Sequence, residues 1–190
     1  MVVVLGLDPG SRYFGWGVVA RKGTHLLHQA HGVIRTPKEG DFAERLVHIE
    51  SALSAVIKRY QPSCASVESI FFSKNAQSAA KLGHARGVGL LVCARASIPI
   101  AEYPPAFVKR TITTKGDAEK EQVAHMIKAF LGLSEAPAFD ASDALAVAIT
   151  HLQNTLFNLQ PEPDLQNMFS THSNAAIEKK STRARWPQRS

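Results

Sequence analysis

The chain predicts an α/β fold, a mixed sheet with helices packed on its faces, and three observations carry that expectation. Residues 2–7 form an apolar run that stops at a turn, Asp8-Pro9-Gly10-Ser11. An aromatic and β-branched stretch, residues 13–20, follows at once, as in a strand paired back on the first. From Asp41 onward, segments with apolar residues every three to four positions alternate with short strand-like runs, the pattern of helices covering a sheet.

Taken in order, residues 2–8 read as the first strand, 13–20 as the second and 26–35 as the third. Asp41 is placed to cap a helix whose buried face is Phe42, Leu46, Ile49, Leu53, Val56 and Ile57. Residues 64–71 give a fourth strand. In residues 75–96 the small side chains of Ala79, Ala80, Gly83, Ala85, Gly87 and Gly89 predict a helix able to approach another backbone closely. Residues 98–103 make a fifth strand, and Pro104-Pro105 open a short helix through Val108. Helices over 119–131 and 140–156 complete the set. Residues 1–156 therefore read as one domain. The pattern dissolves over 157–190, which carries few apolar residues and a basic end at Lys179, Lys180, Arg183 and Arg185, and is expected to be a disordered tail.

Composition excludes several classes. Cys64 and Cys93 lie in separate apolar runs without paired spacing, which supports neither a disulfide framework nor a zinc motif. The first apolar stretch is cut at Asp8, too short for a secretory segment or a membrane span, so a cytoplasmic protein with no membrane partner is expected. Net charge is +6. Through residue 156 there are 17 Lys and Arg against 13 Asp and Glu, and four of those acids stand apart from the rest. Were a metal to neutralise those four, the remaining surface would be basic enough to favour a polyanion such as nucleic acid.

The four are Asp8, which ends the first strand; Glu68, inside the apolar fourth strand; and Asp140 and Asp143, three apart at the mouth of a helix that is almost wholly apolar over 144–149. Each has a plain reading alone. Asp8 before Pro9-Gly10 suits a turn, Asp140 suits an N-cap, and Asp143 suits the positive end of the helix dipole. Glu68 is harder to place, because a buried glutamate without a partner must be neutral or costly. Jointly, two strands and a helix N-terminus can bring all four together, and clustered carboxylates require a cation. With no His or Cys at ligand spacing, the oxygen-only set points to Mg²⁺ or Mn²⁺. A carboxylate-bound ion pair in basic surroundings suits phosphodiester hydrolysis.

The ordered set Gly6-Leu7-Asp8-Pro9-Gly10-Ser11-Arg12 with Gly15, Glu68, Lys81-Leu82-Gly83 with Ala85-Arg86-Gly87, Gln122-Val123, and Asp140-Ala141-Ser142-Asp143-Ala144-Leu145-Ala146 resembles the RuvC family of crossover-junction endodeoxyribonucleases, over residues 1 to about 155. The resemblance implies a ribonuclease-H-like fold with a five-stranded mixed sheet and helices on both faces. It implies a homodimer that resolves four-way (Holliday) junction DNA in recombination and repair by paired symmetric nicks, leaving 5′-phosphate and 3′-hydroxyl ends, beside a branch-migration helicase complex of RuvA and RuvB type. Its catalytic and metal-binding carboxylates fall on Asp8, Glu68, Asp140 and Asp143, with two Mg²⁺ per site and Mn²⁺ able to substitute. Its junction-stacking aromatic falls on Phe71, beside Phe72, and lysines near the scissile phosphate fall on Lys109 and Lys120. Lys74, Asn75, Lys81, Arg86 and Lys115 join the expected DNA contacts, and Gly83 and Gly87 the expected dimer contact. This chain departs from the family at Thr113-Thr114-Lys115-Gly116, where a more flexible loop is usual, and at Phe14, Trp16 and Phe72, so site preference is expected to differ. Asp8-Pro9-Gly10-Ser11 also resembles the first phosphate loop of actin-like sugar kinases, which need two such domains, and a non-catalytic junction-binding protein is a third reading.

Overall fold

A computed structural model describes residues 1–69 and 76–157. Phe71, Phe72, Lys74 and Asn75 and the expected tail, 157–190 apart from its first residue, lie outside the described residues. Five strands, β1 (Val2–Asp8), β2 (Tyr13–Lys22), β3 (His25–Arg35), β4 (Cys64–Glu68) and β5 (Ile100–Tyr103), form one mixed sheet in the order β3-β2-β1-β4-β5. The first three are joined as antiparallel neighbours, whereas β4 runs parallel to β1 and β5 parallel to β4. The helices are α1 (Phe42–Tyr60), α2 (Ala76–Arg95), α3 (Pro105–Thr113), α4 (Lys120–Leu131) and α5 (Phe139–Phe157).

Strand alternation divides the core in two. Leu5, Leu7, Phe14, Val18 and Val67 point to one face and pack with Ile49 and Leu53 of α1 and Val92 and Cys93 of α2. Val4 and Val19 point to the other and pack with α5, while Val108, Ile112, Val123 and Ile127 bring α3 and α4 to that same side. Leu145, Ile149 and Leu152 of α5 have no exposed surface, and each such side chain contributes about 1.5–3 kcal/mol by leaving water.

Glycines in the sheet explain how α5 sits so close. A Cβ at Gly6 would run into the Ala144 carbonyl, one at Gly15 into the Asp140 carbonyl, and one at Gly17 into the Leu145 side chain. At the far end, the buried Arg21 guanidinium of β2 donates to the Leu152 carbonyl. Helix α5 thus lies along β2 from Gly15 to Arg21, with its N-terminus beside the end of β1 where Asp8 stands.

Element boundaries differ from the sequence expectation in a few places. Asp41 does cap α1, with its N–H donating to Glu44 at 3.3 Å. Helix α3 runs beyond Val108 to Thr113, because Val108 and Ile112 supply a buried face one turn longer than the proline signal implied. Strand β5 starts at Ile100, two residues late, and β4 ends at Glu68. Asp140 is not an N-cap. Ser142 N–H already donates to the Ala138 carbonyl, so α5 is under way at Phe139 and Asp140 sits within its first turn. Both cysteines are free, Cys93 buried and Cys64 half-buried, with the Cys64 sulfur 3.2 Å from His151 Nε2.

The departure at Thr113-Thr114-Lys115-Gly116 has a backbone consequence. Thr114 closes α3 at φ 66°, a left-handed conformation that a β-branched residue adopts only under strain. Thr113 Oγ1 donates to the Lys115 carbonyl at 2.9 Å and helps hold the loop in that shape. Thr114→Gly is therefore expected to raise stability by about 1 kcal/mol, read as a higher urea midpoint with unchanged slope.

Candidate active site

The carboxylates converge at the C-terminal ends of the inner strands β1 and β4. The parallel register aligns Leu7 with Val67, and one residue further on each strand stand Asp8 and Glu68. By alternation both point to the α5 face, as Gly6 and Ser66 do one pleat earlier. The first turn of α5 adds Asp140 and the next adds Asp143, and their three-residue spacing puts them on one side of the helix. The glycine at position 15 lets that turn descend onto the sheet beside Asp8.

The electrostatics record the convergence. Asp8 is raised to about 8, first by burial and then by the negative charges of Asp143, Glu68 and Asp140, with Lys120 opposing. Burial, followed by Asp143, also pushes Glu68 upward, and Lys120 and Lys109 pull it back. Lys120 Nζ donates to Asp143 Oδ2 at 2.9 Å, and that bond is the main reason the lysine holds its proton more firmly than usual. Lys109 of α3 and the first residue of α4 therefore both bring positive charge to the acids. Asp8 and Glu68 border a cleft of about 190 Å³ together with Pro9, Ser69, Leu82, Arg86 and Pro105. Arg86 is oriented within this wall by Glu102 at 2.6 Å.

Four acids with only oxygen donors, one of them forced to about 8 by burial and by the others, form a donor set that a hard divalent cation would relieve. Among the described residues no three His, Cys, Asp or Glu side chains close around a common point, and at Asp143 the ammonium of Lys120 supplies the positive charge.

Comparison with known proteins identifies the scaffold. Residues 4–151 match the family described as crossover junction endodeoxyribonuclease RuvC. A protein of that name from Sorangium cellulosum is 60% identical over 149 residues, covering 78% of this chain and 83% of its own length. The chain belongs to the RuvC family. A second RuvC, from Photorhabdus laumondii, is 47% identical over 151 residues, with 80% of this chain and 87% of that protein covered. Among solved structures, Thermus thermophilus RuvC in complex with a Holliday junction substrate superposes with a TM-score of 0.78 at 36% identity, over 83% of this chain and 97% of that one. A yeast mitochondrial Holliday junction resolvase shares the fold at 13% identity, with a TM-score of 0.55, over 82% of this chain and 83% of that one.

On the RuvC scaffold the remaining expected residues divide into groups. Lys109, Lys120 and Arg86 stand at the carboxylate cluster or its cleft. Lys81 lies exposed on α2 and Lys115 exposed in the loop after α3, and the structure ties neither to the acids. Among the described residues Gly83 and Gly87 serve no close packing, since a Cβ at either would meet nothing within 4 Å. The close intrasubunit contact on α2 belongs instead to Gly89, against Phe14. Sequence reasoning missed the residues on the other side of the α5 N-terminus, where Arg12, Tyr13, Arg35 and Lys38 border a groove of about 520 Å³ that reaches Asp140. Arg12, directly after the Asp8 turn, was the available signal.

Proposed function

We propose that the protein is a Mg²⁺-dependent endodeoxyribonuclease that resolves four-way DNA junctions by paired symmetric nicks. The observation that carries this reading is the crowding of Asp8 by Glu68, Asp140 and Asp143 from separate elements, in a member of the RuvC family. Asp8, Glu68, Asp140 and Asp143 would hold the divalent cations. When bound, two such ions supply an activated water for attack on phosphorus and stabilisation of the departing 3′ oxygen, with Mn²⁺ able to replace Mg²⁺. The chain's own residues prepare the site. The strand register aligns Asp8 with Glu68, Gly15 admits the α5 turn, and Lys120 orients the Asp143 carboxylate. Lys109 and Lys120 add positive charge where a scissile phosphate must approach a cluster of acids. Breaking the bond to the 3′ oxygen leaves a 5′-phosphate and a 3′-hydroxyl, ends that a ligase can rejoin.

Two opposed strands need two active sites, and the α1–α2 face suits a homodimer. Gly83, Gly87 and Ala80 line a shallow apolar groove with Leu46, Val88 and Leu91, and Leu91 is 51% exposed. Small residues with open space above them among the described residues allow a second helix to approach closely. Gly87→Arg is expected to convert the dimer to a monomer in light scattering and to uncouple the two nicks, so that singly nicked junctions accumulate. Cooperation with a branch-migration helicase complex of RuvA and RuvB type rests on family membership. Among the described residues no helix is long and apolar enough to cross a membrane.

A synthetic junction with each strand labelled tests the activity. The expected result is nicks at matching positions in two opposed strands, requiring Mg²⁺ or Mn²⁺ and repaired by ligase. Tight junction binding without cleavage in either cation would favour the binding-module reading instead.

A further inference from the structure

From the groove beside the α5 N-terminus we infer a second binding surface for the DNA, one that grips the backbone phosphates of the strand leaving the cutting site. This rests on the nuclease reading above and extends it to residues outside the carboxylate cluster. The groove is bordered by Arg12, Tyr13, Arg35, Thr36 and Lys38, with Asp140 at its inner end. Tyr13 pairs directly with Arg35 across β2 and β3, so their side chains rise from the same face of the sheet. Tyr13 lies two residues before Gly15, the position that seats the Asp140 turn, and therefore faces the α5 side, the face on which Asp8 stands. Cutting site and groove thus share one sheet surface, with the α5 N-terminus between them.

Three features suit a phosphodiester backbone. Among the described residues the side chains of Arg12, Arg35 and Lys38 have no ion-pair or hydrogen-bond partner, whereas Arg86 and Lys120 at the cutting site are paired. Their positive charge is therefore left unneutralised. The walls are held in place by hydrogen bonds to backbone carbonyls. Thr36 N–H donates to the Arg12 carbonyl at 3.1 Å, Thr36 Oγ1 donates to the Ser11 carbonyl at 3.1 Å, and Arg45 donates to the Lys38 carbonyl at 2.7 Å. These contacts tie the β1–β2 turn, the end of β3 and the start of α1 into one rim. Finally, Tyr13 is 50% exposed at the groove and offers a ring against which a sugar or base can rest. Asp140 at the inner end repels phosphate, which puts the phosphate contacts at the Arg12–Arg35–Lys38 end of the groove.

The test compares the full-length wild type with the triple variant Arg12→Ala/Arg35→Ala/Lys38→Ala for binding to a four-way junction over a range of salt. Every phosphate that the protein no longer neutralises takes about 0.9 from the slope of log K against log salt, so the slope is expected to fall by about 2 to 3, with affinity reduced roughly tenfold or more. A charge-retaining variant, Arg12→Lys/Arg35→Lys, should keep the slope. Phosphate ethylation interference should weaken in the triple variant at phosphates on one side of the cut position only. An unchanged slope and footprint in the triple variant would overturn the groove assignment, as would a charge-retaining variant whose slope falls as far as that of the alanine one. In either case, paired nicking by the wild type would leave the nuclease reading standing.

Discussion

Asp8→Asn is expected to abolish junction cleavage while leaving junction binding intact. The side chain loses its metal-binding charge and half its oxygen donors at the position crowded by the other three acids, so cleavage should fall by at least roughly 10³-fold, about 4 kcal/mol of barrier. Binding measured in EDTA should survive, because with no cation to lose the substitution adds no negative charge beside the phosphate backbone. Gel mobility and strand-cleavage assays on the same protein separate the two effects. The substitution also carries a stability signature. Without divalent cations Asp8 holds its proton to about pH 8 in the folded chain, against an ordinary value of 3.8, so the folded state binds the extra proton between those limits. Stability contributed by this group is therefore complete below about pH 4 and is lost as pH rises toward 8, by up to about 1.4 kcal/mol per unit. Asn does not titrate. The variant should melt above the wild type at pH 8 and higher in EDTA, and added Mn²⁺ should raise the wild-type midpoint more than that of the variant.

The second large effect is expected at a residue with no chemistry of its own. In Gly15→Ala the new Cβ would collide with the backbone carbonyl of Asp140, which cannot swing aside as the end of a flexible side chain could. The α5 N-terminus must lift off β2, and Asp140 and Asp143 move with it. A cost of at least about 3 kcal/mol is expected, a large share of the roughly 5–15 kcal/mol that holds a domain of this size. Cleavage by the fraction still folded should also fall, since two of the four acids are displaced from Asp8. Gly89→Ala provides a milder contrast, because its Cβ would meet the rim of the buried Phe14 ring at 3.0 Å, a side-chain contact and not a backbone collision. Urea midpoints paired with cleavage at saturating DNA distinguish lost stability from lost alignment.

Much of this was legible in the residues. Apolar runs bounded by turns located every strand, and the acid inside an otherwise apolar β4 singled out Glu68 as a buried charge needing partners. Asp140 and Asp143 were recognisable from their spacing ahead of an apolar helix, although the helix begins one residue before Asp140. What single-strand reading could not supply is registration between elements. That Gly15 lies under Asp140, and that Tyr13 and Arg35 are cross-strand neighbours, follows from pairings across tens of residues that leave no local pattern. For the same reason no local pattern joins Arg12 to Lys38, whose segments the Thr36 hydrogen bonds draw together. The end of α3 was misjudged because Pro104-Pro105 announce a helix start and say nothing of its length, which the buried Ile112 sets.

The central claim is that acids from β1, β4 and α5 share divalent ions. Anomalous scattering from crystals of the protein grown with Mn²⁺ tests it directly. The expected result is ion density coordinated by Asp8 together with Glu68 or the Asp140–Asp143 pair, with Lys120 released from Asp143. Manganese bound only elsewhere, with Asp8 unliganded and the Lys120–Asp143 bond intact, would contradict it.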